Sequence, residues 1–202
     1  MLTLYHAKNT RSARIIWLLE ELGLDYNLVA LEFHPKSLKS EEHKARHPLG
    51  RVPVLEDGDV TLFESGAIAQ YILARHAAGK LAPAVEDAAF PTYLQWFHYT
   101  EGTLMPPINT IVTQTLLLPP ERRSEDVLGM AQRLAKKVLE PVNEQLADKE
   151  YLIGDFSAAD IMLGHAIFVS DRLQLVGDNM ENLKNYVSRI KARSSFQTAI
   201  SA

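Results

Sequence analysis

At 202 residues, with 47% apolar and 23% charged side chains, the chain is long enough for one large or two small globular domains. A net charge of −4 argues against nucleic acid as the main partner, and no apolar run reaches the roughly 20 residues that span a bilayer. Cysteine is absent, which excludes disulfides, thiolate metal sites and a cysteine nucleophile, so any thiol chemistry must use a thiol carried in by a ligand. The opening MLTLYHAKNT lacks a charged stretch followed by an apolar one, and the reading is a cytoplasmic protein.

The first part alternates strand and helix. Leu2 to Tyr5 predicts a short buried strand, and the loop His6 to Arg11 leads into a helix from Ser12 to Leu22. Ile15, Ile16, Leu18, Leu19 and Leu22 form its apolar side, and Gly23 stops it at a position that favours a left-handed residue. Tyr26 to Leu31 reads as a second strand, and Ser37 to Arg46 as a short polar helix or loop. Two more strands, Val52 to Leu55 and Val60 to Phe63, flank the turn Asp57-Gly58, a strong hairpin signal. A helix from Ser65 to His76 follows, and Gly79 to Asp87 reads as a linker. Beyond Ala88 the pattern is helical: Ala88 to Leu104, a break at Met105-Pro106-Pro107 and a continuation to Leu118, then Pro120 to Ala147, Ser157 to Leu173 and Met180 to Arg193. The fold class is therefore α/β followed by all-α, in two domains.

Gly50 to Ile72 carries the most chemistry. A proline cannot donate to a sheet ladder, so Pro53 marks an edge or an end of its strand. A cis bond before Pro53 would turn the backbone of Val52 outward, with its N–H and C=O available to a peptide-like ligand. One hairpin later, Glu64-Ser65-Gly66 opens a helix whose amides and positive dipole end suit a carboxylate. Ser65 also fits a plain N-cap. The combination describes a pocket for a small anionic peptide. His43 and His47, four residues apart on a polar stretch, read as solvated, and no histidine pair has metal-ligand spacing.

With these motifs in view, the chain resembles the glutathione S-transferase family along essentially its whole length. His47-Pro48-Leu49-Gly50-Arg51-Val52-Pro53-Val54-Leu55 matches the family's Asn-Pro-x-Gly-x-Val-Pro-x-Leu segment, with His47 in place of Asn. Glu64-Ser65 matches its Glu/Gln-Ser pair, and Phe156-Ser157-Ala158-Ala159-Asp160 its helix-start box. Asn9 to Arg14 and Trp17 to Gly23 look most like a bacterial and fungal branch. The resemblance implies a thioredoxin-like, glutathione-binding domain over residues 1–79 and an all-α domain over residues 86–202 that lines an electrophile pocket. It also implies a cytoplasmic homodimer that conjugates glutathione, its co-substrate, to apolar electrophiles in detoxification, with no metal, nucleic acid or membrane partner. The alternatives on the same fold are a glutathione-dependent disulfide or peroxide reductase and a non-catalytic binding or scaffold protein.

Residue by residue, the resemblance implies that Val52 before a cis Pro53 exchanges main-chain bonds with the cysteinyl part of glutathione. Glu64 and Ser65 would hold the γ-glutamyl end, and Arg51 and Lys39 the glycyl carboxylate. A free thiol titrates near about 8.5, so the site must supply a donor to the thiolate. Three groups compete for that role: Thr10 and Asn9 at the helix start, and Tyr5 at the strand end. Ser12 reads as an N-cap or first-turn residue. In the second domain Trp96, Tyr99 and Met105 are the expected pocket-lining residues, drawn from an aromatic and methionine stripe that is otherwise core. Ser157 and Asp160 form a Ser-x-x-Asp capping box.

Overall fold

In the computed structural model, which describes residues 1–202, Leu2–His6 form β1, Tyr26–Ala30 β2, Val54–Asp57 β3 and Val60–Phe63 β4. The sheet order is β2-β1-β3-β4, with β1 parallel to β2 and both other pairs antiparallel. Ser12–Leu22 form α1 and Ser65–His76 α4, both with the bounds expected from their periodicity. Gly23 closes α1 at φ 65°, a conformation that glycine adopts without cost. Between β2 and β3 the polar stretch forms two short helices, α2 (Pro35–Leu38) and α3 (Glu41–Arg46). This is the thioredoxin-like unit expected of the first part.

Strand alternation sorts the side chains of β1. Leu2, Leu4 and His6 share one face, and Thr3 and Tyr5 the other. Leu4, together with Ile15, Ile16, Trp17, Leu18 and Leu19 of α1 and Ile68 and Ile72 of α4, is fully buried. Tyr5 lies on the opposite face, where the Arg46 guanidinium of α3 stacks 4.5 Å from its ring centre.

The chain divides into two units, residues 1–84 with 191–202, and residues 85–190. The expected helical domain over 86–202 therefore loses its last segment to the first unit. That segment contains α10 (Ser194–Ser201), a helix the apolar pattern does not show. It docks on α1: Phe196 meets Trp17 edge-on at 4.7 Å, and Arg193 donates to the Glu21 carboxylate from Nε and Nη2, both at 2.7 Å. Trp17 Nε1 and the Ser195 hydroxyl donate to the same carboxylate.

The second unit is helical throughout: α5 (Phe90–Tyr99), α6 (Met105–Val112), α7 (Glu125–Gln145), α8 (Ala158–Arg172) and α9 (Glu181–Lys191). The break expected at Met105-Pro106-Pro107 does not occur. A π-helical turn, Thr100–Leu104, resets the hydrogen-bond register, so both prolines fall in the first turn of α6, where amide donors are not needed. The helix expected from Pro120 begins only at Glu125, after a 3₁₀ turn over Pro120–Arg122 and an N-cap from Ser124. Only isolated bridges, Tyr151 with Gly154 and Ile153 with Asp155, represent strand pairing here. No helix is long and apolar enough to cross a membrane.

Candidate functional site

The segment before β3 is held by backbone packing that only glycine allows. Gly50 has φ 56°, and a Cβ on it would lie 2.3 Å from the Leu38 carbonyl oxygen. That contact sets the end of α2, with exposed Lys39 next in sequence, against the approach to exposed Arg51. His43 of α3 is 3% exposed, and its Nε2–H donates to the Arg51 carbonyl at 2.8 Å. The solvated reading of His43 and His47 is thus wrong. His47 is 4% exposed and packs its ring 4.6 Å from Phe63, and burial lowers its pKa from the ordinary imidazole value.

The Val52–Pro53 bond is cis. The strand expected over Val52–Leu55 begins at Val54, and neither N–H nor C=O of Val52 joins any backbone hydrogen bond. Because Val54 pairs with Phe63, Pro53 and Glu64 leave the same end of the hairpin. Glu64 has φ 73° and ψ 114°, a conformation costly for a residue with a side chain and found where surroundings over-determine it, often at functional sites. Val52, Glu64 and Ser65 are therefore gathered in one place.

Ser65 does not cap its helix. Glu64 is the N-cap, without a side-chain bond, and Ser65 is the first helical residue. The first intrahelical bond runs from Ile68 N to the Glu64 carbonyl, so the amides of Ser65, Gly66 and Ala67 remain open, as at any helix start. Ser65 is 4% exposed, and its Oγ accepts from Nη1 of Arg14 at 3.3 Å. Arg14 itself is fully buried in α1. Open amides, a positive dipole end and a buried guanidinium converge on one hydroxyl, an arrangement that favours an anion.

The activator candidates separate once their protons are followed. The Tyr5 hydroxyl donates to Glu56 Oε2 at 3.0 Å, and burial, then Glu56, raise its pKa above 10.0. Its proton is committed to a carboxylate on the α3 side of the sheet. The Thr10 hydroxyl lies 2.7 Å from the Ala7 carbonyl, which can only accept, and so donates there. In this arrangement the Tyr5 and Thr10 hydroxyls both point their protons at protein acceptors. Asn9 is exposed and adopts φ 61°, which Asn tolerates better than most residues. Ser12 is the first residue of α1 and is buried.

Of the expected pocket residues in the second unit, Trp96 and Met105 are buried and Tyr99 is half-buried. Trp96 and Met105 are 4% and 6% exposed, and the Tyr99 hydroxyl donates to the Val138 carbonyl of α7 at 2.8 Å. Their helical spacing marks an inward face. Two residues at the site had no role in the sequence reading. Arg14 leaves a visible trace, an arginine within the otherwise apolar stretch from Ala13 to Leu19. His43 leaves none, because its task depends on where the Arg51 carbonyl comes to lie.

Residues 1–74 match the family description "Glutathione S-transferase, N-terminal domain", and residues 104–194 match "Glutathione S-transferase, C-terminal domain". Glutathione S-transferase 4 of Zea mays is 37% identical over 171 residues, covering 81% of this chain and 76% of the relative. The probable glutathione S-transferase GSTF1 of Oryza sativa subsp. japonica is 32% identical, covering 94% of this chain and 90% of its own. Among solved structures, glutathione S-transferase-I bound with lactoylglutathione aligns with a TM-score of 0.83 at 29% identity, over 99% of this chain and 98% of that one.

Proposed function

The chain belongs to the glutathione S-transferase family, and on that premise we propose that its first unit binds glutathione and ionises its thiol through Asn9. The observation that carries this reading is the pairing of an unbonded Val52 backbone with an uncapped Ser65 whose hydroxyl is held by buried Arg14. The Val52 N–H and C=O match the main chain of the cysteinyl residue. The amides at Ser65 and the Arg14 charge favour the γ-glutamyl carboxylate, and Glu64 its amine. Lys39 and Arg51, both exposed, supply positive charge for the glycyl carboxylate.

Catalysis then needs only that the thiolate form persist at neutral pH. A donor to sulfur stabilises the charged form and lowers the thiol pKa, and the nearby start of α1 adds its dipole. We take the Asn9 amide, in the exposed turn just before α1, as that donor. The thiolate attacks an apolar electrophile, forming a carbon–sulfur bond as the leaving group departs. The same thiolate would reduce a disulfide with a second glutathione, and activity on an aryl halide against a disulfide substrate separates the two chemistries. We read the protein as a cytoplasmic homodimer serving detoxification. The relatives described come from maize and rice, so the bacterial and fungal likeness of Asn9–Arg14 carries no assignment to a branch.

The test is the thiol pKa of bound glutathione, followed by thiolate ultraviolet absorbance. Asn9→Gly keeps the left-handed turn and removes the amide, so it should raise that pKa by about one unit or more. An unchanged value would remove Asn9 from the mechanism.

A further inference from the structure

Two buried polar side chains flank the loop that carries Asn9: His6, the last residue of β1 and 2% exposed, and Ser12, the first of α1 and fully buried. They are joined to Thr10 by short contacts. His6 Nδ1 lies 2.8 Å from Ser12 Oγ, Ser12 Oγ 2.6 Å from Thr10 Oγ1, and Thr10 Oγ1 2.7 Å from the Ala7 carbonyl. Each hydroxyl has one proton to give. The Ala7 carbonyl has none, so Thr10 must donate to it. Thr10 then has no proton for Ser12, and Ser12 must donate to Thr10. Ser12 in turn has none for His6, which leaves the third contact to a proton on His6 Nδ1.

The chain therefore has one direction, from His6 Nδ1–H through Ser12 and Thr10 to the Ala7 carbonyl, and it assigns the imidazole tautomer. Reversed, with Nδ1 bare, Ser12 would turn to His6 and Thr10 to Ser12. Two oxygens would then face each other 2.7 Å apart at Ala7 with no proton between them, and the loop would have to open. Asn9 sits inside the turn that these contacts close. Burial lowers the His6 pKa from 6.5, against an upward pull from the Ala202 backbone and with Lys8 adding to the lowering, so the neutral ring carries the question.

We propose that His6 and Ser12 are positioning residues for thiol activation: their one-way hydrogen-bond chain holds the turn that presents the Asn9 amide. The proposal rests on the reading of Asn9 as the thiolate donor. Neither side chain needs to touch glutathione, and their effect would pass through the backbone of the loop.

The intact parent protein gives the first test. Long-range proton–nitrogen NMR of the His6 ring should show Nδ1 protonated and Nε2 bare, and a proton on Nε2 alone would overturn the chain. The second test uses an isosteric pair. His6→Asn places an amide N–H where Nδ1–H stands, whereas His6→Asp places an acceptor there. His6→Asn should stay within about threefold of the parent in kcat/KM. His6→Asp should lose about tenfold or more in kcat with little change in KM for glutathione, and the bound thiol pKa should rise toward its free value. If the parent lowers the thiol pKa but the two variants behave alike, the positioning role is wrong and the Asn9 reading survives. If the parent does not lower it at all, that reading fails and the proposal fails with it.

Discussion

Two helices in this molecule begin with a serine followed by small residues, and they use it in opposite ways. At the start of α8, Ser157 and Asp160 close a capping box. The Asp160 carboxylate accepts from Ser157 N–H at 2.9 Å, the Ser157 hydroxyl at 3.1 Å, Leu152 N–H at 3.0 Å and the Tyr186 hydroxyl at 2.8 Å. At the start of α4, Ser65 caps nothing, its neighbours' amides stay open, and its hydroxyl rests on Arg14. A helix start that is saturated from within contributes stability. One left open, with a buried cation beside it, suits an anionic ligand. The same residue type thus serves structure or binding according to whether the protein itself supplies the partners.

The largest effect that could break this contrast is Asp160→Ala. Leaving four buried donors without their acceptor should cost about 3 kcal/mol or more of stability in denaturant titration. A loss below about 1 kcal/mol would mean that the α8 start is not the anchor claimed here. Next is Arg14→Met, which keeps the buried volume and removes the charge. Glutathione affinity by calorimetry should weaken about tenfold or more. Lost stability with unchanged affinity would place Arg14 with Asp160, among the structural groups.

The serines themselves give a crossed comparison. Ser157→Ala should lower stability by about 1 kcal/mol and leave glutathione binding alone. Ser65→Ala removes an acceptor of buried Arg14, so it should cost about 1 kcal/mol as well, but it should also weaken binding several-fold. Equal effects of the two variants on binding would erase the distinction.

A smaller effect tests whether the binding unit also contains a saturated anchor, Glu21 under α10. Burial pushes its carboxyl up, but Arg193, Ser195 and Trp17 together hold it below its ordinary value of 4.5. The unfolded chain therefore binds more protons than the folded one on the acid side. The stabilisation is complete above about pH 4.5 and is lost as the pH falls through the lower folded value. Thermal melts of the parent should show this acid-side slope, and Glu21→Gln should flatten it; identical slopes would sink the assignment.

Much of the fold was legible from local signals. The bounds of α1, β4 and α4 follow from apolar periodicity, and the turns from Gly23 and Asp57-Gly58, whose backbones decide them nearly alone. The C-terminal helix α10 was not legible, because its order comes from Trp17 and Glu21, which lie far away in sequence. The two prolines of α6 misled for a related reason: a proline breaks a helix only if its amide is required, and the preceding π turn removes that requirement. Of the site, the anchors Val52 and Ser65 were readable as motifs. Trp96, Tyr99 and Met105 were not separable from core, since one helical spacing serves an inward face and a pocket equally.

By itself the sequence determined a strand–helix unit with a Val-Pro end and a Glu-Ser helix start, an all-helical remainder, and that any thiol chemistry must use a ligand's thiol. Those are properties of backbone preference, periodicity and composition, and each is written within a few residues. Only the tertiary structure decided which protein acceptors the Tyr5 and Thr10 hydroxyls meet. Tyr5, Asn9 and Thr10 all carry a donor on paper, but a hydroxyl has one proton, and it goes to an acceptor within about 3 Å. For Tyr5 that acceptor is Glu56, 51 residues away, and for Thr10 a carbonyl that the fold of the loop turns toward it.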